Sequence, residues 1–148
     1  MEVGDVATVQ KSLRMPSEMA KPIEDMAKAC GRDFSSMVNE LVSEAVKMRR
    51  CPGIIFVDGP SGRRAHLAGT GLDVWEVIAL YRSLNQDDTR LQKAYHWLKP
   101  TQLRAALSYY LAYPQEIDER MASNQQWTQE QLANEFPAVV AKSKTKSP

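Results

Sequence analysis

The stretch that most limits what this chain can become is residues 6–15, Val-Ala-Thr-Val-Gln-Lys-Ser-Leu-Arg-Met. Val9, Leu13 and Met15 fall on one side of an extended chain, with Lys11 out of pattern, while Gln10, Ser12 and Arg14 fall on the other. Pro16 stops the strand and suits the first position of a helix. In the helix that follows, Met19, Ile23, Met26, Ala27 and Cys30 keep helical spacing, and Gly31 closes it as a C-cap. Pro22 removes one backbone donor inside it and predicts a local bend. A second helix starts near Asp33-Phe34-Ser35 and carries a wide apolar stripe of Met37, Val38, Leu41, Val42, Ala45 and Met48. Lys47, Arg49 and Arg50 suit its C-terminal end. One strand and two helices within about fifty residues bury too little surface to stand alone. A single strand also has no partner within the segment. Both defects vanish if two chains pair their strands antiparallel and interlock their helices, so residues 1–50 are expected to form half of a homodimer.

A two-stranded ribbon of this kind fits the DNA major groove. The sequence Leu13-Arg14-Met15-Pro16, a helix, Gly31-Arg32, and Ser35 opening a second helix resembles the ribbon-helix-helix family, which includes the Arc, MetJ and CopG repressors. The resemblance covers residues 6–50. It implies that the outward strand residues Gln10, Ser12 and Arg14 read bases, and the chemistry agrees. Gln pairs with adenine, Arg with guanine, and Ser with either. It also implies that Ser35 and Ser36, at the start of the second helix, hold a phosphate through backbone N–H groups. The family has an aliphatic residue where Lys11 stands; at the strand edge, Lys11 is placed to reach a phosphate.

Beyond Cys51-Pro52-Gly53 the pattern changes. Ile54–Val57 is a short apolar run of strand type, 58–62 a turn, and 63–67 a returning strand. Asp73 and Glu76 mark a capping box for a helix to about Leu84, with Val74, Val77, Ile78 and Tyr81 inward. A short helix near 89–95, a break at Lys99-Pro100, and a helix from Thr101 to about Tyr113 complete a helix-turn-helix outline. The last of these is expected to turn Leu103, Ala106, Leu107 and Tyr110 inward. Thr101, Ala105, Ser108, Tyr109 and Ala112 then face outward, a surface better suited to protein contact than to base reading. Arg63 and Arg64 are candidates for touching the DNA backbone.

The residues Pro52-Gly53-Ile54-Ile55-Phe56, Asp58-Gly59, Gly62-Arg63-Arg64, Leu67 through Glu76, Leu103 through Tyr110 and Tyr113-Pro114-Gln115-Glu116-Ile117 together resemble a family of small bacterial helix-turn-helix domains of VapB-antitoxin type. This covers residues 51–120. The resemblance implies a gene neighbour encoding a PIN-like ribonuclease toxin. Past 122, Asn124-Gln125-Gln126 reads as a break and Thr128 with Gln131 as a second capping box, with Pro137 bending or ending that helix. Trp127, Leu132 and Phe136 are apolar anchors for a toxin, and the basic end from Lys142 to Pro148 is expected to be disordered.

The fold class expected is therefore mainly α. A dimeric ribbon-helix-helix over 1–50 precedes a hairpin plus helix-turn-helix over 51–122 and a C-terminal helix and tail over 123–148. Net charge is only +1, so DNA binding has to come from a local basic patch. The two cysteines, Cys30 and Cys51, make no disulfide framework or metal-ligand spacing. His66 and His96 have no evident Cys or Asp partner, and no catalytic set, cofactor or metal site emerges. The N-terminus lacks the pattern of a signal peptide, and no apolar run approaches the roughly 20 residues that cross a bilayer, so a cytoplasmic protein is expected. The function these features imply is a repressor that binds its own operator in double-stranded DNA and neutralises a ribonuclease toxin. The alternative is a stand-alone regulator or architectural DNA-binding protein with no toxin.

Overall fold

A computed structural model of the protein describes residues 7–60 and 62–135, with side chains as far as Asn124. Among these residues the chain is mainly helical, with one antiparallel hairpin. It divides into two compact units, one ending at Ser43 and one beginning at Glu44.

The first unit holds α1 (Ser17–Ala29) and most of α2 (Phe34–Arg50). Helix α1 opens directly after Pro16, whose carbonyl accepts from the N–H groups of Met19 and Ala20 at 3.0 Å. It runs through Pro22 to Cys30, and Gly31 turns the chain at a positive φ of 63°. Helix α2 is capped by Asp33, whose Oδ1 accepts from the Ser36 N–H at 2.7 Å. Residues 7–16 carry neither helix nor strand in the single chain. A strand is defined by its pairing, and this segment meets no partner here. Among the described residues of the unit only Ala27 and Met37 are buried, whereas Val9 is 77% exposed and Leu13 70%.

The second unit has the core that the first lacks. β1 (Ile54–Gly59) pairs with β2 (Gly62–Leu67) in a two-residue hairpin, with Ile54 opposite Leu67 and Phe56 opposite Ala65 on the inner face. Gly53 leads into it at a φ of +93°, where a side chain is strained, and a Cβ there would stand 3.3 Å from that of Ala105. The chain then forms α3 (Val74–Ser83), α4 (Asp88–Ala94), α5 (Pro100–Ala112) and α6 (Pro114–Glu135). Val74, Val77 and Ile78 of α3, Leu91 of α4, Leu103, Ala106 and Tyr109 of α5 and Ile117 of α6 close on the hairpin's Ile54, Ala65 and Leu67. Burying each large aliphatic of this set stabilises the unit by about 1.5–3 kcal/mol.

Three expectations are corrected. Tyr109 lies inside the core, not on the outward face of α5, and Tyr110 is the partly exposed one. The inner stripe runs 103, 106, 109 because α6 follows at once and offers the Tyr109 hydroxyl a carboxylate, that of Glu116. Helix α6 continues through 124–126 without a break, so Thr128 lies inside a helix and does not cap one. Polar residues alone do not end a helix, and the chain has no Gly or Pro between Pro114 at the start of α6 and Pro137. Finally, His66 does have a carboxylate partner, Asp73. The last turns of α2, from Glu44, fall in the second unit, although the change in sequence pattern comes at Cys51. Phe136 and the basic tail from Lys142 lie outside the described residues, as do the side chains of Trp127 and Leu132.

Candidate nucleic-acid interface

The residues expected to meet DNA first are Gln10, Lys11, Ser12 and Arg14, and all four are exposed. None makes a hydrogen bond or ion pair among the described residues. From Val6 to Ser17 the chain carries no acidic residue, so Lys11 and Arg14 give this short segment a local positive charge. Its apolar residues Val9 and Leu13 are exposed too. Met19, Met26, Phe34 and Val42 in the two helices behind are exposed as well.

Ser35 and Ser36 do sit in the first turn of α2, the place where backbone N–H groups attract an anion. That place already has a carboxylate. The Asp33 side chain takes the Ser36 N–H, and these backbone and hydroxyl bonds hold its carboxyl below the ordinary aspartate range. Arg32 crosses the same turn, donating to the Ser36 carbonyl at 3.1 Å and to Glu40 Oε2 at 2.6 Å. A phosphate arriving here meets Arg32 and the Ser35 end of the turn, and competes with Asp33.

Arg63 and Arg64 both have anionic partners within the second unit. The Arg63 guanidinium reaches Glu44 Oε1 at 2.5 Å and Asp58 Oδ1 at 3.2 Å, and the Glu44 contact is the main reason its proton is held more tightly than usual. Arg64 Nε lies 2.8 Å from Asp73 Oδ2. A DNA phosphate would have to displace a carboxylate at either position. Asp73 is nearly fully buried and gathers three groups: Arg64, the His66 ring through Nδ1 at 2.8 Å, and Trp75 Nε1 at 3.1 Å. Its own N–H donates to Glu76 Oε2 at 2.8 Å, the return bond of the expected capping box, while its carboxylate turns to the hairpin. The sequence hides this cluster because a strand and the start of the following helix supply it.

A second cluster fastens the end of α2. Lys47 Nζ lies 3.3 Å from Glu116 Oε2 and over the rings of Phe56 and Tyr113, at 5.9 and 5.1 Å from their centroids. Arg50 stacks on Tyr113 at 5.8 Å. Glu44, Lys47 and Arg50 repeat every three residues, so one helix face meets the hairpin and α6. Among the described residues no three or more His, Cys, Asp or Glu side chains gather as a metal site, and no helix is long and apolar enough to cross a membrane. No family model, curated protein or solved structure matches the chain.

Proposed function

We propose that the chain is a dimeric, sequence-reading DNA-binding repressor whose first unit is completed by that of a second copy. The observation that carries this reading is the near absence of a core before Glu44. Two amphipathic helices and an apolar, extended lead segment leave Val9, Leu13, Met19, Met26, Phe34 and Val42 in solvent. Exposed apolar area of this extent on so short a segment marks an interface. Pairing of residues 7–16 with their copy supplies the missing strand and covers Val9 and Leu13. It also turns Gln10, Ser12 and Arg14 to one face, with Lys11 and Arg14 doubled to four positive charges and no acid between them. A base-reading ribbon needs that combination of donors and charge.

The reading places the protein in the cytoplasm with its operator. It extends, on the resemblance of residues 51–120 noted above, to neutralising a PIN-like ribonuclease encoded by a neighbouring gene. Co-purification with that gene product separates this from a stand-alone regulator. The test of the DNA reading is Arg14→Ala on two duplexes, one taken from directly upstream of the chain's own coding sequence and one of random sequence. Loss of one bidentate base contact costs about 1–3 kcal/mol of discrimination, roughly 5- to 150-fold in preference. Binding curves that match wild type on both duplexes would rule the segment out as the reader.

A further inference from the structure

From Thr89 to Gln115 the chain contains no Asp or Glu, although it holds 18 acidic residues in 148. The same stretch carries Arg90, Lys93, Lys99 and Arg104. All four are exposed. Lys93, Lys99 and Arg104 have no ion-pair partner among the described residues, and Arg90 has only a long contact of 3.8 Å with the largely exposed Asp87. Elsewhere in the second unit four cations are paired, while Arg49 has no ion-pair partner among the described residues and Arg50 meets only Tyr113. Lys47, Arg63, Arg64 and Arg82 are each matched by a carboxylate. Past the first turn of α4, where Asp87 and Asp88 stand, α4 and α5 thus carry cations with no acid among them.

The face is also held in place. Leu91, Leu98 and Leu103 are buried beneath it. Gln92 Nε2 donates to the Leu98 carbonyl at 2.9 Å, and the Lys99 N–H donates to Gln102 Oε1 at 2.8 Å, closing the turn from α4 into α5. Between Lys93 and Lys99 in sequence stands Trp97, 55% exposed, with its ring edge against Tyr95 at 6.0 Å. Along α5 the exposed stripe is Thr101, Arg104, Ser108 and Leu111. It offers no Asn or Gln and only one long donor, so it lacks the side chains that distinguish bases. Fixed, unpaired cations without a base-reading set suit a phosphate backbone.

We propose that the α4–turn–α5 face of the second unit is a separate contact surface for duplex DNA, gripping its phosphates through Lys93, Lys99 and Arg104 without reading sequence. The proposal shares with the function proposed above only the choice of DNA as ligand, and it needs no operator. The full chain is titrated against a labelled 30-base-pair duplex of mixed sequence between 50 and 200 mM salt. It is compared with the variant Lys93→Gln/Lys99→Gln/Arg104→Gln and with the charge-keeping variant Lys93→Arg/Lys99→Arg/Arg104→Lys. Each lost phosphate contact flattens the dependence of log K on log salt by about 0.9. The glutamine variant is expected to lose about 2.7 of slope per chain and at least tenfold in affinity at low salt by the same counting. The charge-keeping variant keeps the wild-type slope. A wild-type slope in the glutamine variant overturns the proposal. So does tighter binding of a 30-nucleotide single strand, or of polyglutamate, than of the duplex. If Arg14→Ala keeps full preference for the upstream duplex while the glutamine variant loses slope, the base reading in the first unit fails and this surface stands. The converse result removes this surface and leaves that reading intact.

Discussion

The hydroxyl of Tyr109, in the middle of the second unit's core, donates to Glu116 Oε2 at 2.5 Å, and the same oxygen receives Lys47 at 3.3 Å. One carboxylate on α6 therefore satisfies a buried phenol on α5 and anchors the end of α2. Tyr109→Phe keeps the ring but removes this donor. Because the bond goes to a charged group, the unit is expected to lose about 1.5–3 kcal/mol, read as a lower urea midpoint with unchanged slope. An unchanged midpoint would show that the bond contributes nothing net.

The same tyrosine sets an alkaline limit. Burial, and then the bond to Glu116, push its hydroxyl above the ordinary tyrosine value of about 10. The unfolded chain gives up this proton first, so the folded state binds more protons above that pH. Its stability is then fully present below about pH 10 and falls as pH rises beyond it. Urea melts of wild type at pH 8 to 11 are expected to show this decline, and Tyr109→Phe a shallower one.

At the other end of the pH scale, Asp33 caps α2 with its carboxyl held low by the Ser36 bonds. Stability from this cap is present above the unfolded aspartate value of about 3.9 and is lost as pH falls through the lower folded value. Asp33→Ala is expected to lower the thermal midpoint at pH 7 and to flatten its dependence on acid. Asp33→Asn, which keeps an acceptor for the Ser36 N–H, is expected to retain more of the midpoint. Equal melting of all three proteins would show that the cap is not used.

Asp73→Ala strands His66 and Trp75, which both hydrogen-bond to that carboxylate, and removes the ion-pair partner of Arg64. The expected loss is about 1–3 kcal/mol, the cost of leaving partly buried polar groups without partners. Trp75 reports it in near-ultraviolet circular dichroism. A variant with unchanged stability and spectrum would remove Asp73 as the link between hairpin and α3.

Gly53 combines a φ of +93° with a Cβ position 3.3 Å from Ala105. Gly53→Ala is expected to destabilise the second unit by about 1–3 kcal/mol. A melt equal to wild type would mean that the turn relaxes freely.

What the sequence made legible was local. The hairpin from Ile54, the start of α3 at Asp73, the break at Pro100 and the Gly31 cap each depend on residues a few positions apart. What stayed hidden depends on residues far apart. Tyr109 turns inward because α6 brings Glu116 to it, and His66 finds Asp73 only once β2 and α3 are adjacent. The boundary at Glu44 is of the same kind. Glu44, Lys47 and Arg50 look like an ordinary helix end until Arg63, Glu116 and Tyr113 meet them. At the candidate interface, the polar residues 10, 12 and 14 were readable from alternation alone, whereas the carboxylates held by Arg63 and Arg64 were not.

Residues 7–43 are proposed to be one half of a dimeric unit. Sedimentation equilibrium of the full chain, run from about 1 to 100 μM with circular dichroism on the same samples, tests it directly. The account predicts a mass of twice 16.7 kDa throughout the range in which the chain keeps its helix content. Helicity should fall wherever dilution dissociates the dimer, because the exposed faces of α1 and α2 then lose their cover. A fully helical monomer at micromolar concentration would contradict it.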